Sequence, residues 1–324
     1  MTGQLVNIGD FHLQDNYLWS HELCENMISY LISAPYNTPE NTAILLGDLT
    51  ENQLNSGAVY EYLTRLFKGL RFKKIIIVVG NHDIRKRSGK ETVPYDFLRD
   101  DPRVYIASTP AEVLDIEGFK CLMLPHFLPT QARPSVNKYY SSLSGDYDFI
   151  FGHVADETVT IIPEGQRADL SKLNGIKVLG HIHSRVSDHY IGSLYAGNIK
   201  EVDDTRAVWL FDSNKVKTEV PLPIFVEYVN QTYPDPLLRT KAMTTVYTFY
   251  GADEGSIREK YGDIYIRRII RNLDSNLKTN LSKTAQTTLL KDAKDTKKLI
   301  DTWSNTLKEK PSSELLTSLK KYAY

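Results

Sequence analysis

The segment VVGNHDIRKRSGK, Val78 to Lys90, ends the apolar run KKIIIVV with Gly, Asn, His and Asp in succession and then turns basic. One polar residue after a strand is turn punctuation. An amide, an imidazole and a carboxylate side by side are different, because together they can hold a cation or move a proton. Layered α/β folds bind ligands in the crevice at the carboxyl ends of their strands.

Outward from this segment, four more stretches share its design of an apolar strand, then Gly, then side chains able to hold a metal. They are NIGDFH with Asp10 and His12, LLGDLT with Asp48, IFGHV with His153, and VLGHIH with His181 and His183. Five of the eight histidines occupy these ends, whereas His21, His126 and His189 do not. A lone Gly-Asp or a lone His would be an ordinary turn or core residue. Five such ends in one chain are not explained that way. Imidazole mixed with carboxylate suits Mn, Fe or Zn, while oxygen-only sites suit Mg or Ca. With Asn81 the set offers more ligands than one ion takes, so two ions sharing a bridging carboxylate are expected. Two such ions, roughly 3.5–4 Å apart, can clamp the attacking and leaving oxygens of an in-line phosphoryl displacement.

The surrounding pattern is that of an α/β protein. QLVNI precedes an amphipathic stretch from about Tyr17 to Ile32, and TAILL precedes another from about Leu54 to Leu70 before KKIIIVV. That alternation predicts strands and helices in layers. After Arg99, closely spaced strands (RVYIA, AEVLDI, KCLMLP, YDFIFG, IKVLG, HYIGSLYAG, AVWLFD) predict a second sheet packed on the first. Near Asp212 the texture changes, and VPLPIFVEYV and AMTTVYTFYG predict two strands of a small separate unit. From about Asn276 the chain is polar, then carries apolar stripes at helical spacing, Leu299, Ile300, Trp303 and Leu307, then Leu315, Leu316, Leu319 and Tyr322. Domains are expected at 1–212, 213–275 and 276–324.

Hydrophobic residues make up 41 % of the 324, enough for a packed core. No apolar run reaches the ~18 residues of a membrane span and no signal-like start is seen, so an intracellular, cytoplasmic protein is expected. Cys24 and Cys121 lie far apart and indicate neither disulfide nor zinc knuckle. The net charge of −1 conceals an asymmetry: residues 257–324 hold 15 basic and 8 acidic side chains (+7), and residues 1–256 hold 24 and 32 (−8). An acidic body with a basic tail fits cation binding in one part and a polyanion or acidic partner at the other.

The order D-x-H, G-D, G-N-H-D, G-H, G-H-x-H resembles that of the calcineurin-like metallophosphoesterases over roughly Gln4 to Asp212. The resemblance implies a four-layer α/β/β/α sandwich, here with a small capping domain and C-terminal helices. It implies two divalent cations, manganese foremost with magnesium as the alternative. Asp10, His12 and His183 would hold the first, Asp48 would bridge, and Asn81, His153 and His181 would hold the second. His82 would stand over the substrate as phosphate-stabilising or proton-donating group, with Asp83 orienting its ring.

Three features narrow the resemblance to SbcD/Mre-type double-strand-break nucleases of compact, bacteriophage-like form: HYIGSLYAGNIKEVDDTRAVWLFD after the last motif, the short strand ending at Pro125, and the C-terminal LIDTWSNTLKEKPSSELLTSLKKYAY. They imply DNA as substrate, docking to an SbcC/Rad-type coiled-coil ATPase through Leu299, Trp303, Leu307, Leu315 and Leu319, and a homodimer formed by the early helices. One departure is Glu51, where cellular members carry a histidine three residues after the bridging Asp. It is expected to leave metal binding untouched and to bear on cleavage direction. DNA contact is expected at Arg85, Lys86, Arg87 and Lys90, with Arg267, Arg268 and Arg271, spaced with Ile as on an amphipathic helix, as a second candidate. A stand-alone nucleotide or protein phosphatase explains the same motifs but leaves about the last 110 residues without a role. A scaffold with a degenerate site would have no use for His82 and Asp83.

Overall fold

The computed structural model describes residues 3–270 except 53–55, 88–89, 131–133, 198–200, 202–204, 239 and 252. The two expected C-terminal helices, and with them Leu299, Trp303, Leu307, Leu315 and Leu319, lie outside the described residues.

The chain begins by alternating strand and helix: β1 (Leu5–Ile8), α1 (Ser20–Ser33), β2 (Thr42–Leu45), α2 (Gly57–Gly69), β3 (Lys74–Val78). The hairpin β4 (Arg85–Arg87) and β5 (Lys90–Thr92) follows, then β6 (Val104–Ala107), β7 (Glu112–Ile116) and β8 (Phe119–Leu124). Next come α3 (Val136–Tyr140), β9 (Gly145–His153), β10 (Leu173–Gly180), β11 (Ala207–Phe211) and β12 (Lys217–Pro221). The described part ends with β13 (Val226–Thr232), β14 (Thr244–Tyr250), α4 (Glu254–Tyr261) and β15 (Tyr265–Ile270).

One sheet has the order β12-β11-β1-β2-β3-β6 and a second β10-β9-β8-β7. The strand period of two sorts their side chains. In the first sheet, Val6, Ala43, Leu45, Ile75 and Ile77 face the helices and pack with Leu23, Met27, Leu63 and Leu66. The alternate residues, Ile44, Ile76 and Val78, meet Met123, Phe149, Phe151 and Val178 of the second sheet. The outer face of that sheet, Leu122, Ile150 and Leu179, is covered by Phe127, Tyr140 and Tyr190. The sandwich is mixed α/β as expected, although its fourth layer is mostly loop, with α3 only five residues long.

Two segments assigned to the second sheet by strand spacing belong to the first. RVYIA is β6, parallel to β3, and AVWLFD is β11, antiparallel to β1 with Leu5 opposite Phe211. Spacing along the chain carries no information on which sheet edge has an unpaired ladder, and β1 and β3 were the open edges. The YIRRII segment is likewise a strand, β15, and not a helix. It follows Gly262, whose φ of 73° ends α4, and its β-branched residues favour pairing in the sheet β13-β14-β15.

Among the described residues the chain divides into two compact units, one drawn from residues 3–229, 237–247 and 264–267, the other from 230–236, 248–263 and 268–270. Within the smaller unit, Asp253 caps α4 by accepting from the Ser256 amide (3.1 Å), and Phe249 stacks on Tyr261 (5.4 Å between centroids). No helix of the described residues is long and apolar enough to cross a membrane.

Candidate metal centre

All the candidate ligands come from strand ends in the larger unit. Asp10 and His12 follow β1, Asp48 follows β2 and Asn81 follows β3, while His153 closes β9 and His181 and His183 follow β10. The glycines of the motifs are there for space. A Cβ at Gly80 would lie 2.1 Å from Asp48 Oδ1, and one at Gly180 would lie 2.5 Å from Asp10 Oδ1. His12, Asp48 and His181 hold left-handed backbone, with φ of 48°, 45° and 79°. Such conformations cost about 1 kcal/mol or more each for a residue with a Cβ and concentrate at functional sites.

The side chains converge. His12 Nε2 and His183 Nε2 face each other at 2.9 Å, and His12 Nε2 is 3.9 Å from Asp48 Oδ2. The other carboxylate oxygen of Asp48 accepts from the His82 amide (2.9 Å), while Oδ2 lies 3.1 Å from His153 Nε2. Asn81 Oδ1 sits between His153 Nε2 (3.0 Å) and His181 Nδ1 (2.8 Å). Three sets, Asp10–His12–His183, His12–Asp48–His82 and Asp48–His153–His181, each bring ligand atoms within 4.8 Å of one another. Asp48 belongs to two of them, and so does His12.

The calcineurin-like phosphoesterase profile matches residues 4–185, more than half of the chain and every residue just described. The chain belongs to the calcineurin-like phosphoesterases. No curated protein matches it. A solved structure of a protein of unknown function from Aquifex aeolicus is similar at 21 % identity and a TM-score of 0.26, over 39 % of this chain and 61 % of that one. The chain thus spans about three-fifths of that protein's length.

Members of this family are metal-dependent hydrolases of phosphoesters and use two divalent metals, and the phosphoesterase's own residues fit such a pair. Asp10 Oδ1 is buried without a hydrogen bond, an arrangement costly for a carboxylate unless a cation takes it up. Burial pushes the Asp10 carboxyl up, and the neighbouring Asp48 carboxylate adds to this. Burial acts on Asp48 in the same direction, but the imidazoles of His153, His12 and His82 outweigh it and hold that carboxyl well below the usual range. Burial disfavours charge on His153, yet Asp48 and Asp10 raise it to about 10, while burial and the charge on His153 push His181 down to about 3. The carboxylates of Asp10 and Asp48 thus concentrate negative charge at the imidazoles, which divalent cations would neutralise.

Contacts beyond the ligands set their orientation. His153 Nδ1 donates to the Leu46 carbonyl (2.7 Å), which directs Nε2 at Asp48 and Asn81. His12 Nδ1 lies 2.8 Å from Glu51 Oε2, and His183 Nδ1 lies 3.7 Å from Glu201 Oε1. His82 Nδ1 donates to the Glu51 carbonyl (2.6 Å). The expected Asp83–His82 pairing is therefore replaced. Asp83 is fully buried and accepts from the Gly80 amide (3.0 Å) and the Thr50 amide (3.2 Å), so it staples the turn. Burial and Asp48 raise its carboxyl to about 6. Consecutive residues in a turn point apart, which is why adjacency in sequence misled here.

Sequence reasoning saw Glu51 only as a departure and missed its contacts with His12 and His82. Its spacing from Asp48 was the available signal. Glu201, in a loop 18 residues past His183, left no such signal. His126 was set aside, but it lines a cavity of about 350 Å3 with His153 and His181, and burial pushes its imidazole down to about 4. Arg85, Lys86, Arg87 and Lys90 fall on the β4–β5 hairpin, which begins two residues after Asp83.

Proposed function

We propose that this phosphoesterase is a DNA exo- and endonuclease, the nuclease subunit of a recombination and repair complex of the SbcCD/Mre-Rad kind. The observation that carries the reading is the β4–β5 hairpin: four basic residues leave the His82–Asp83 turn directly, where a phosphodiester backbone bound for hydrolysis would pass. Asp10, His12 and His183 would hold one cation, Asn81, His153 and His181 the other, with Asp48 between them. When bound, the ions supply Lewis acidity to the phosphoryl oxygens and make a water acidic enough to attack at neutral pH.

The remaining work falls to side chains. The Glu51 carbonyl can only accept, so it fixes the Nδ1 proton of His82 and leaves Nε2 as the nitrogen that would exchange a proton with substrate. From Nε2 a proton goes to the leaving oxygen as the P–O bond breaks, and Nδ1–H keeps the ring aimed throughout. The basic tail and its apolar stripes support an SbcC/Rad-type ATPase as partner.

The test is digestion of linear duplex and single-stranded DNA by the full chain with manganese, with magnesium and with chelator, alone and with the ATPase. Manganese-dependent cleavage is expected. Turnover of a phosphomonoester with no cleavage of either DNA overturns the reading in favour of a phosphatase.

A further inference from the structure

The metal centre opens on its His12–His183 side into a cavity of about 230 Å3 that holds Glu51 and Glu201 beside those histidines and adds a set of aromatic side chains. Tyr17, Trp19, Tyr195 and Tyr228 line it, and Arg267 stands at its edge. Tyr17 stacks on Trp19 with centroids 5.1 Å apart and planes 4° from parallel, and Trp19 meets Tyr228 edge-on at 5.8 Å. The Arg267 guanidinium lies over the Tyr228 ring at 5.0 Å. Trp19 is buried, whereas Tyr17 is 54 % exposed although one of its faces is already on Trp19. A half-exposed tyrosine, backed by a buried tryptophan and facing a cavity, is a stacking platform with an open side.

The wall is tied to the catalytic side chains. The Gln14 amide donates to the Tyr195 hydroxyl (2.8 Å), which donates to the His12 carbonyl (3.1 Å). A group seated here is thus held at fixed distance from the ligands of one cation. The volume falls below the ~300–1,000 Å3 of pockets for larger ligands, so it takes one ring system and not an oligonucleotide. A planar group that stacks on Tyr17 in a cavity also lined by Gln14 and Asn16, with the Arg267 guanidinium there for an adjoining phosphate, fits the description of a nucleobase.

We propose that this cavity is a subsite for the single nucleoside next to the scissile phosphate, its base stacked on Tyr17. This rests on the nucleic-acid reading above and deepens it: the enzyme holds the strand end partly by one unstacked base, without base-specific readout. Stacking on one aromatic side chain changes affinity by about tenfold or more.

The experiment is calorimetric titration of the manganese-loaded full chain with dAMP, with deoxyribose 5-phosphate, which lacks the base, and with phosphotyrosine. The wild type is expected to bind dAMP about tenfold tighter than deoxyribose 5-phosphate. Tyr17→Ala is expected to erase that difference and Tyr17→Phe to keep it. Equal affinities in the wild type, a difference that survives Tyr17→Ala, or phosphotyrosine binding as tightly as dAMP would overturn the subsite. The two readings fail separately. A base preference without DNA cleavage sinks the nuclease and leaves the subsite, and DNA cleavage without a base preference does the reverse.

Discussion

Glu51→Gln is the perturbation that most directly separates the structure from the sequence pattern. The Glu51 carboxylate lies 2.8 Å from His12 Nδ1, with 34 % of its side chain exposed against 4 % for His12. At that distance the carboxylate charge favours a proton on Nδ1, leaving Nε2 as the ligand atom and making that nitrogen more basic. Gln keeps the shape of the side chain and removes only the charge. Losing the outer partner of a ligating histidine typically weakens metal binding by about 10–100-fold, and the partial exposure of Glu51 argues for the lower end. Manganese should therefore bind roughly tenfold more weakly, a difference of about 1.4 kcal/mol. Calorimetric titration of the metal-stripped protein measures this directly. Because the bond to His82 comes from the main-chain carbonyl of Glu51, which the substitution does not remove, raising manganese should recover the lost activity. Unchanged metal affinity, or activity that stays lost at saturating manganese, would refute the assigned role of the carboxylate.

Asp48→Ala should lose both cations, since its carboxylate belongs to both halves of the site; elemental analysis that finds two ions per chain would contradict the bridging role. His82→Ala should retain metal and fold but lower turnover by about 10²–10⁴-fold, the usual contribution of a general acid, as read by single-turnover cleavage. Asp156 is fully buried and accepts from the Thr158 amide (3.0 Å) and from His189 Nδ1 (2.6 Å), so Asp156→Ala should cost about 2–3 kcal/mol in urea unfolding. Burial pushes its carboxyl up, but the hydrogen bonds from His189 and Thr158 win and hold it below its ordinary 3.8. A depressed native value means that this stability is complete above pH 3.8 and fades as pH falls through the native value, so the gap between variant and wild type should close only in acid.

The sequence by itself determined the alternation of strand and helix, the position of each strand end and the identity of the side chains there. Those are local properties: hydrophobic period, Gly after an apolar run, and ligand chemistry can all be read within a dozen residues of one another. The helices expected at about Tyr17–Ile32 and Leu54–Leu70 appear as α1 and α2, and the five motif ends meet at one place. Which ladder β6 and β11 would join was not local, because an edge strand is filled by whatever segment loop closure brings to it, here across some 200 residues for Leu5 and Phe211. The orienting groups were hidden for the same reason. Glu51 reaches His12 across 39 positions and His82 across 31, Glu201 approaches His183 through a loop, and Asp83 turns away from its neighbour to hold Thr50 and Gly80. Only tertiary structure decides these contacts, because a hydrogen bond depends on where two backbones pass in space, and the chain spacing that encodes a turn says nothing about that.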